Sequence, residues 1–190
     1  GQVQGLFDGD VAATDHGDVV ALIKESVAGC AGRHALAAQP EQPELLYESA
    51  LLAEKLGRQD VLETNLRKLI RIKPDHAHAY NALGYSLAGR NQRLAEAEQL
   101  IAKALQLSPD DPFITDSMGW VLYRKGDTAG ALTYLQRAYS IRPDPEIAAH
   151  LGEVLWVVGR RDEAKKTWQE AAKAHPGNEV LAEVIKHFSP

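Results

Sequence analysis

The chain holds a single cysteine, Cys30, among its 190 residues. An internal disulfide and a multi-cysteine metal site are thereby excluded. No apolar run approaches the roughly 18 residues that a membrane-spanning helix needs. Basic residues are in deficit, with 21 Lys and Arg against 26 Asp and Glu and a net charge of −5. Binding to nucleic acid or to an anionic membrane draws on a positive field that such a chain lacks. The deficit is uneven: residues 1–34 carry −3 and the remainder only −2. What argues against nucleic acid in that remainder is the lack of a basic stripe. Methionine is also single, at Met118. The expectation is a processed product or a fragment, with any targeting segment upstream of it. Apolar residues at 45% and charged residues at 25% are those of an ordinary folded chain, not a disordered one.

What the chain does have is a period. Pro40, Pro74, Pro109, Pro143 and Pro176 are spaced by 34, 35, 34 and 33 residues. Other small residues hold the same phase. Gly84, Gly119 and Gly152 lie 24 or 25 residues before the next proline, Ala97, Ala131 and Ala164 lie 12 before it, and Ala104, Ala138 and Ala171 lie 5 before it. Gly57, Gly126 and Gly159 recur 17 before it. A period near 34 marks a stack of helix–turn–helix units. Small side chains let the paired helices approach, the mid-repeat glycine ends the first helix in a left-handed conformation, and the proline stops the second. The phase predicts helix pairs at 43–56 with 59–72, 76–89 with 93–106, 112–125 with 128–141, and 145–158 with 161–174. One extra residue falls in the second inter-helix turn, around Asn91-Gln92-Arg93.

These residues resemble the tetratricopeptide repeat. The stretch Tyr80, Leu83-Gly84, Leu87, Ala97, Ile101, Ala104, Pro109 carries the family pattern. So do Met118-Gly119 through Pro143 and Leu151-Gly152 through Pro176. An earlier unit is degenerate, with Ala50 for the glycine and Leu62 and Leu69 for the alanines, so its helices are expected slightly further apart. The implied fold is all-α, a right-handed α-solenoid of antiparallel helix pairs. Its repeats span 35–176, at about 41–74, 75–109, 110–143 and 144–176. Residues 177–190 supply a capping helix, N-capped by Asn178, with Val180, Leu181, Val184, Ile185 and Phe188 as its apolar stripe. Residues 1–34 match poorly and read as a linker or a damaged repeat, with a short helix at 18–28 and the end of another at 35–39.

No catalytic motif is present: no phosphate loop, no serine elbow, no zinc-protease helix. Asp8, Asp10, Asp15 and Asp18 lack the glycine and glutamate of a calcium loop and read as a solvated loop. His76 and His78 are two apart on a helix, point in different directions and have no third ligand nearby. They read as a helix start, with His78 on the inner groove. Val27-Ala28-Gly29-Cys30 has the form of a lipidation box, but Lys24 and Glu25 interrupt the apolar segment such a box needs. A small buried cysteine is the favoured reading. No metal and no cofactor are implied.

The resemblance places one face of the first helices along a concave groove. Its candidate residues are Tyr47, Asn81, Tyr85, Asp116, Trp120, Tyr123, Arg124, Glu153 and Trp156. Aromatic residues of this kind dominate binding hot spots. The alternative is that Tyr85 and Trp120 pack on the neighbouring first helix as core. Trp168 falls on a core position. Truncating Trp120 or Tyr123 to alanine tests the assignment, because loss of folding instead of binding would mark them as core. The Asn and Lys/Arg clamp for chaperone tails is absent, since its places hold Tyr47, Leu51, Ala82, Phe113 and Ser117.

The runs Asn81–Ala88, Asp116–Arg124 and Ala148–Trp156 are similar to the C-terminal part of proteobacterial tetratricopeptide-repeat outer-membrane lipoproteins that face the periplasm. One member type activates a carboxyl-terminal processing protease and delivers cell-wall hydrolases to it. The resemblance implies a non-enzymatic adaptor on the periplasmic side, anchored by a lipid far upstream, that binds the protease and its substrates. The alternatives are a cytoplasmic scaffold, the regulatory or substrate-binding part of a larger enzyme, and a part of an envelope assembly or secretion system. Oligomeric state is not legible.

Overall fold

A computed structural model describes residues 41–188. Cys30, the aspartates at 8–18 and the helices expected at 18–28 and 35–39 lie outside the described residues. Within them the chain forms α1 (Pro43–Lys55), α2 (Gln59–Ile72), α3 (Ala77–Gly89), α4 (Leu94–Leu107), α5 (Pro112–Arg124), α6 (Thr128–Ile141), α7 (Pro145–Val157), α8 (Arg161–Ala174) and α9 (Glu179–Phe188). No strand occurs among the described residues. The helix ends of the four pairs fall within one residue of those the repeat phase predicts.

Local chemistry sets those ends. Pro43, Pro112 and Pro145 each open a first helix, where a missing N–H costs nothing. Asp111 accepts from the Phe113 and Ile114 amides at 2.9 and 3.0 Å, Asp144 from Glu146 at 3.0 Å, and Asn178 from Leu181 at 2.9 Å. At the far ends Gly57, Gly126 and Gly159 have φ of 66°, 91° and 86°. The second pair has no glycine there. Asn91 takes the left-handed position (φ 53°), and the Gln92 amide reaches back to the Leu87 carbonyl at 2.9 Å, as Arg58 reaches Ala53 in the first pair. The extra residue follows, and Arg93 is left-handed too (φ 45°). Its guanidinium meets Glu63 of α2 at 2.5 Å. The Arg93 hydrogen bond, helped by Arg67, holds the Glu63 carboxyl down at about 2.

Each first helix packs against its own second helix through the repeat glycine. A Cβ on Gly84 would come within 2.6 Å of the Ile101 side chain and 2.9 Å of the Ala97 carbonyl. On Gly119 it would meet Leu135 at 2.6 Å, and on Gly152 the Trp168 indole at 2.0 Å. The glycine therefore makes room for the large residue of the second helix as well as for the alanine turn. Leu46, Leu62, Leu66, Leu83, Leu87, Ile101 and Ile114 form one apolar core, and Leu135, Val154, Leu155, Trp168 and Val184 form the next. Trp168 is a core residue, as expected. Helix α9 lays Leu181 and Val184 onto the last pair, and Phe188 stacks 5.6 Å from Trp168. It covers the apolar face that a terminal repeat leaves open. No described helix is long and apolar enough to cross a membrane.

The stack has an inner and an outer side. Helices α3, α5 and α7 pack directly on one another, whereas second helices of successive repeats show no comparable packing. First helices therefore line the inside of the curve.

Candidate partner-binding face

The nine candidate residues divide into two groups. Tyr47, Asn81, Tyr85, Tyr123, Arg124 and Trp156 are half-buried. Asp116, Trp120 and Glu153 are buried, at 6%, 1% and 8% exposure. Asp116 and Glu153 therefore do not line an open groove, and Trp120 borders one with almost none of its surface. Neighbouring first helices come close enough to enclose them.

What encloses them is a residue that sequence reasoning did not single out. His150 of α7 is buried, with its Nδ1 2.8 Å from Asp116 Oδ2 and 3.1 Å from Oδ1. Its Nε2 lies 3.4 Å from the Tyr85 hydroxyl. Its ring stacks on Trp120, centroids 4.3 Å apart at 23°. One imidazole thus joins α3, α5 and α7. Burial alone would push the His150 pKa down, but the Asp116 carboxylate, with Glu153 and Glu146 behind it, more than offsets this and the net shift is upward. The Tyr85 hydroxyl is pushed far up by burial first and by the Asp116 charge second. Trp120 is held further by Tyr123 at 5.4 Å and by the Arg124 guanidinium at 5.7 Å from its ring centre. Burial, together with the charge of the Glu153 carboxylate, pushes the Tyr123 hydroxyl up to about 12. Burial raises Glu153 in turn, opposed by His150, Tyr123 and Arg124.

The repeat register carried the missing signal. Two residues before the repeat glycine stand Ala82, Ser117 and His150; three before it stand Asn81, Asp116 and Ala149. A histidine in a column otherwise small and uncharged invites a partner from the preceding unit, and Asp116 is that partner. At the junction one repeat earlier the same columns hold Asn81 and Ser117. There the Ser117 hydroxyl donates to the Phe113 carbonyl of its own helix at 2.9 Å. The Asn81 Oδ1 is buried with no hydrogen-bond partner among the described residues.

Toward the N-terminal end the face opens. A cleft of about 240 Å³ is lined by Glu54, Gln59, Tyr85, Ser86, Arg90 and Trp120. Burial raises the Glu54 carboxyl, opposed by the charge of Arg90. Tyr47 flanks this region, raised by burial and by Glu54 and Asp111. Toward the C-terminal end, Trp156 is covered by Phe188 at 6.1 Å and by the Arg161 and Lys165 cations at 5.2 and 5.8 Å. His76 caps α3, its Nδ1 accepting from Ala79 at 3.1 Å, and exposed His78 sits 3.9 Å from Asp111. Among the described residues no group of three or more His, Cys, Asp or Glu is placed to hold a metal ion.

Residues 62–112 match one tetratricopeptide repeat model and residues 117–145 match another. The units these models cover are tetratricopeptide repeats, and the fold is that of a tetratricopeptide array. The TPR repeat-containing protein PA4667 of Pseudomonas aeruginosa is 53% identical over 114 residues, which are 60% of this chain and 19% of that protein. The chain thus spans about a fifth of that curated relative. Among solved structures the tetratricopeptide array is similar to TTC0263, a thermophilic TPR protein of Thermus thermophilus. The TM-score is 0.78 at 24% identity, over 90% of this chain and 93% of that one. It is also similar to YrrB, described as a TPR protein with an unusual peptide-binding site, at a TM-score of 0.59 and 22% identity over 83% of each chain. At these identities the likeness concerns the fold. A tetratricopeptide solenoid is in general a scaffold for protein–protein interaction.

Proposed function

We propose that the array is a non-catalytic adaptor that holds a segment of a partner protein against its first-helix face. The observation that carries this reading is the shape of that face. Three first helices are locked together by Asp116, His150 and Tyr85, and beside the lock lies an aromatic-walled cleft with two charged side chains. A rigid frame with an open, amphipathic recess suits capture of an extended or helical segment. His150, between Asp116 and Tyr85, is 3% exposed, which suits a structural tie between helices. YrrB, of the same fold, is described with a peptide-binding site, which supports the reading by analogy of fold.

The finer proposal is a periplasmic role beside the outer membrane, as the partner of a carboxyl-terminal processing protease. It rests on the similarity of the Asn81–Ala88, Asp116–Arg124 and Ala148–Trp156 runs to that lipoprotein group. The test uses the full-length parent protein and the purified protease of the source organism. Co-elution in gel filtration, with faster cleavage of a model substrate, is the expected outcome. Separate elution and an unchanged cleavage rate overturn the protease role. A second reading is favoured by the coverage of the relative: the matched residues are about a fifth of PA4667, which leaves most of such a chain for a catalytic part. Activity of the full-length parent that survives deletion of this array would favour it.

A further inference from the structure

The charge of the tetratricopeptide array is segregated between its two sides. The first helices α1, α3, α5 and α7 contain Glu44, Glu48, Glu54, Asp116, Glu146 and Glu153 against Lys55 and Arg124, a formal −4. The second helices α2, α4, α6 and α8 contain seven acids against nine bases, a formal +2. The inner side is acidic although the array as a whole is nearly balanced.

The cleft between α1, α3 and α5 concentrates that character. Its walls include the rings of Tyr85 and Trp120, and Glu54 stands among them, half-buried. The Glu54 side chain has no hydrogen bond or ion pair among the described residues. Arg90, on the same cleft, is drawn along its own helix: its Nε donates to the Ser86 carbonyl at 3.1 Å and its Nη2 to the Ser86 hydroxyl at 3.5 Å. There it answers the negative end of the α3 dipole. The carboxylate is left as the group with unused acceptors, on a cleft it shares with the half-buried Tyr85 ring. A long side chain with an apolar stem and a cationic head satisfies both, the stem against the ring and the head on the carboxylate. A carboxylate-bearing segment would instead set a second negative charge beside Glu54 in a half-buried site, with Arg90 already engaged on Ser86.

Resting on the scaffold reading above, we infer that the partner segment is basic, and that one of its Lys or Arg side chains enters the cleft and pairs with Glu54. The acidic inner side adds long-range attraction, so association weakens as salt rises.

The test pans phage-displayed random dodecapeptides on the immobilised full chain. Selected peptides are then titrated calorimetrically against the parent chain and against Glu54→Gln, Arg90→Gln and Gly89→Trp. Gly89 lines the cleft with open space beside its Cα, so Gly89→Trp fills the cleft without adding charge and marks binding to it. Circular dichroism checks that each variant keeps its helicity. The expected result is Lys- or Arg-bearing peptides that lose at least about tenfold in affinity with Glu54→Gln and bind more tightly with Arg90→Gln, which removes a competing cation from the cleft. Replacing their basic residue by Gln should cost as much. Peptides blocked by Gly89→Trp but acidic or uncharged, or indifferent to Glu54→Gln, overturn the basic-segment inference and leave the scaffold reading standing. If no selected peptide is blocked by Gly89→Trp, both fall.

Discussion

The two halves of the first-helix face are built from equivalent columns and behave differently. At the α5–α7 junction the columns hold Asp116 and His150, which meet at 2.8 Å and close over Trp120. At the α3–α5 junction they hold Asn81 and Ser117, which leave a buried carbonyl oxygen unsatisfied. Small residues let α3 and α5 pack more extensively than α5 and α7, where the imidazole fills the space. One junction is held by charge and stacking, the other by close backbone approach. The open cleft lies on the second, toward α1. Side-chain content of two columns, not the fold, decides where this solenoid is locked and where it can receive something.

The comparison can be broken most severely at His150. His150→Ala leaves Asp116 buried without its partner and strips one face of Trp120. It should cost about 3–5 kcal/mol, read from urea unfolding followed at 222 nm. A cost below about 1 kcal/mol would mean that the junction does not depend on the pair. Gly152→Ala, on the same helix, drives a Cβ into the Trp168 indole and should cost about 1–3 kcal/mol by the same measurement.

The pH dependence comes next. The folded His150 titrates above its ordinary value. Its contribution is therefore complete below an unfolded histidine pKa of about 6.5 and fades as pH rises through the raised value. Burial raises Glu153 also, so it too favours the fold in its protonated form, in the window just above the ordinary glutamate range. The urea midpoint of the parent chain should fall between neutral and alkaline pH, and that of His150→Gln should fall less. Parallel curves would show that His150 carries no pH-linked stability.

At the other junction the effects are small. Asn81→Leu removes a buried oxygen that has no partner, and should leave stability unchanged or raise it by up to about 1 kcal/mol. Ser117→Ala loses only a bond to its own helix and should shift stability by about 0.5 kcal/mol or less. A large loss from either would show that this junction holds a polar lock like its neighbour.

Much of the fold was legible because tetratricopeptide packing rests on small residues at fixed spacing. Gly84, Gly119 and Gly152 have room for no side chain, so they mark three of the four helix pairs, while the first pair carries Ala50 in that column. Even the irregular turn was visible, since Asn91 is one of the few residues besides glycine that accept a left-handed backbone. The face was legible only in part. The resemblance assigns Trp120 to the inner side of α5, but its burial against α7 depends on His150, which no repeat rule specifies. Asp116 and Glu153 were read as groove residues for the same reason. Their burial depends on cross-repeat partners, His150 and Tyr123, that a single unit cannot reveal.

The most direct measurement is amide hydrogen exchange on the full chain, with and without a peptide selected as above. Protection should appear on α1 around residues 47–54 and on the second half of α3 around residues 85–90. The amides of α5 and α7 around His150 should be slow in both states. Protection confined to residues 116–123 and 150–156, with α1 and α3 unchanged, would contradict the division into a locked half and a receiving half.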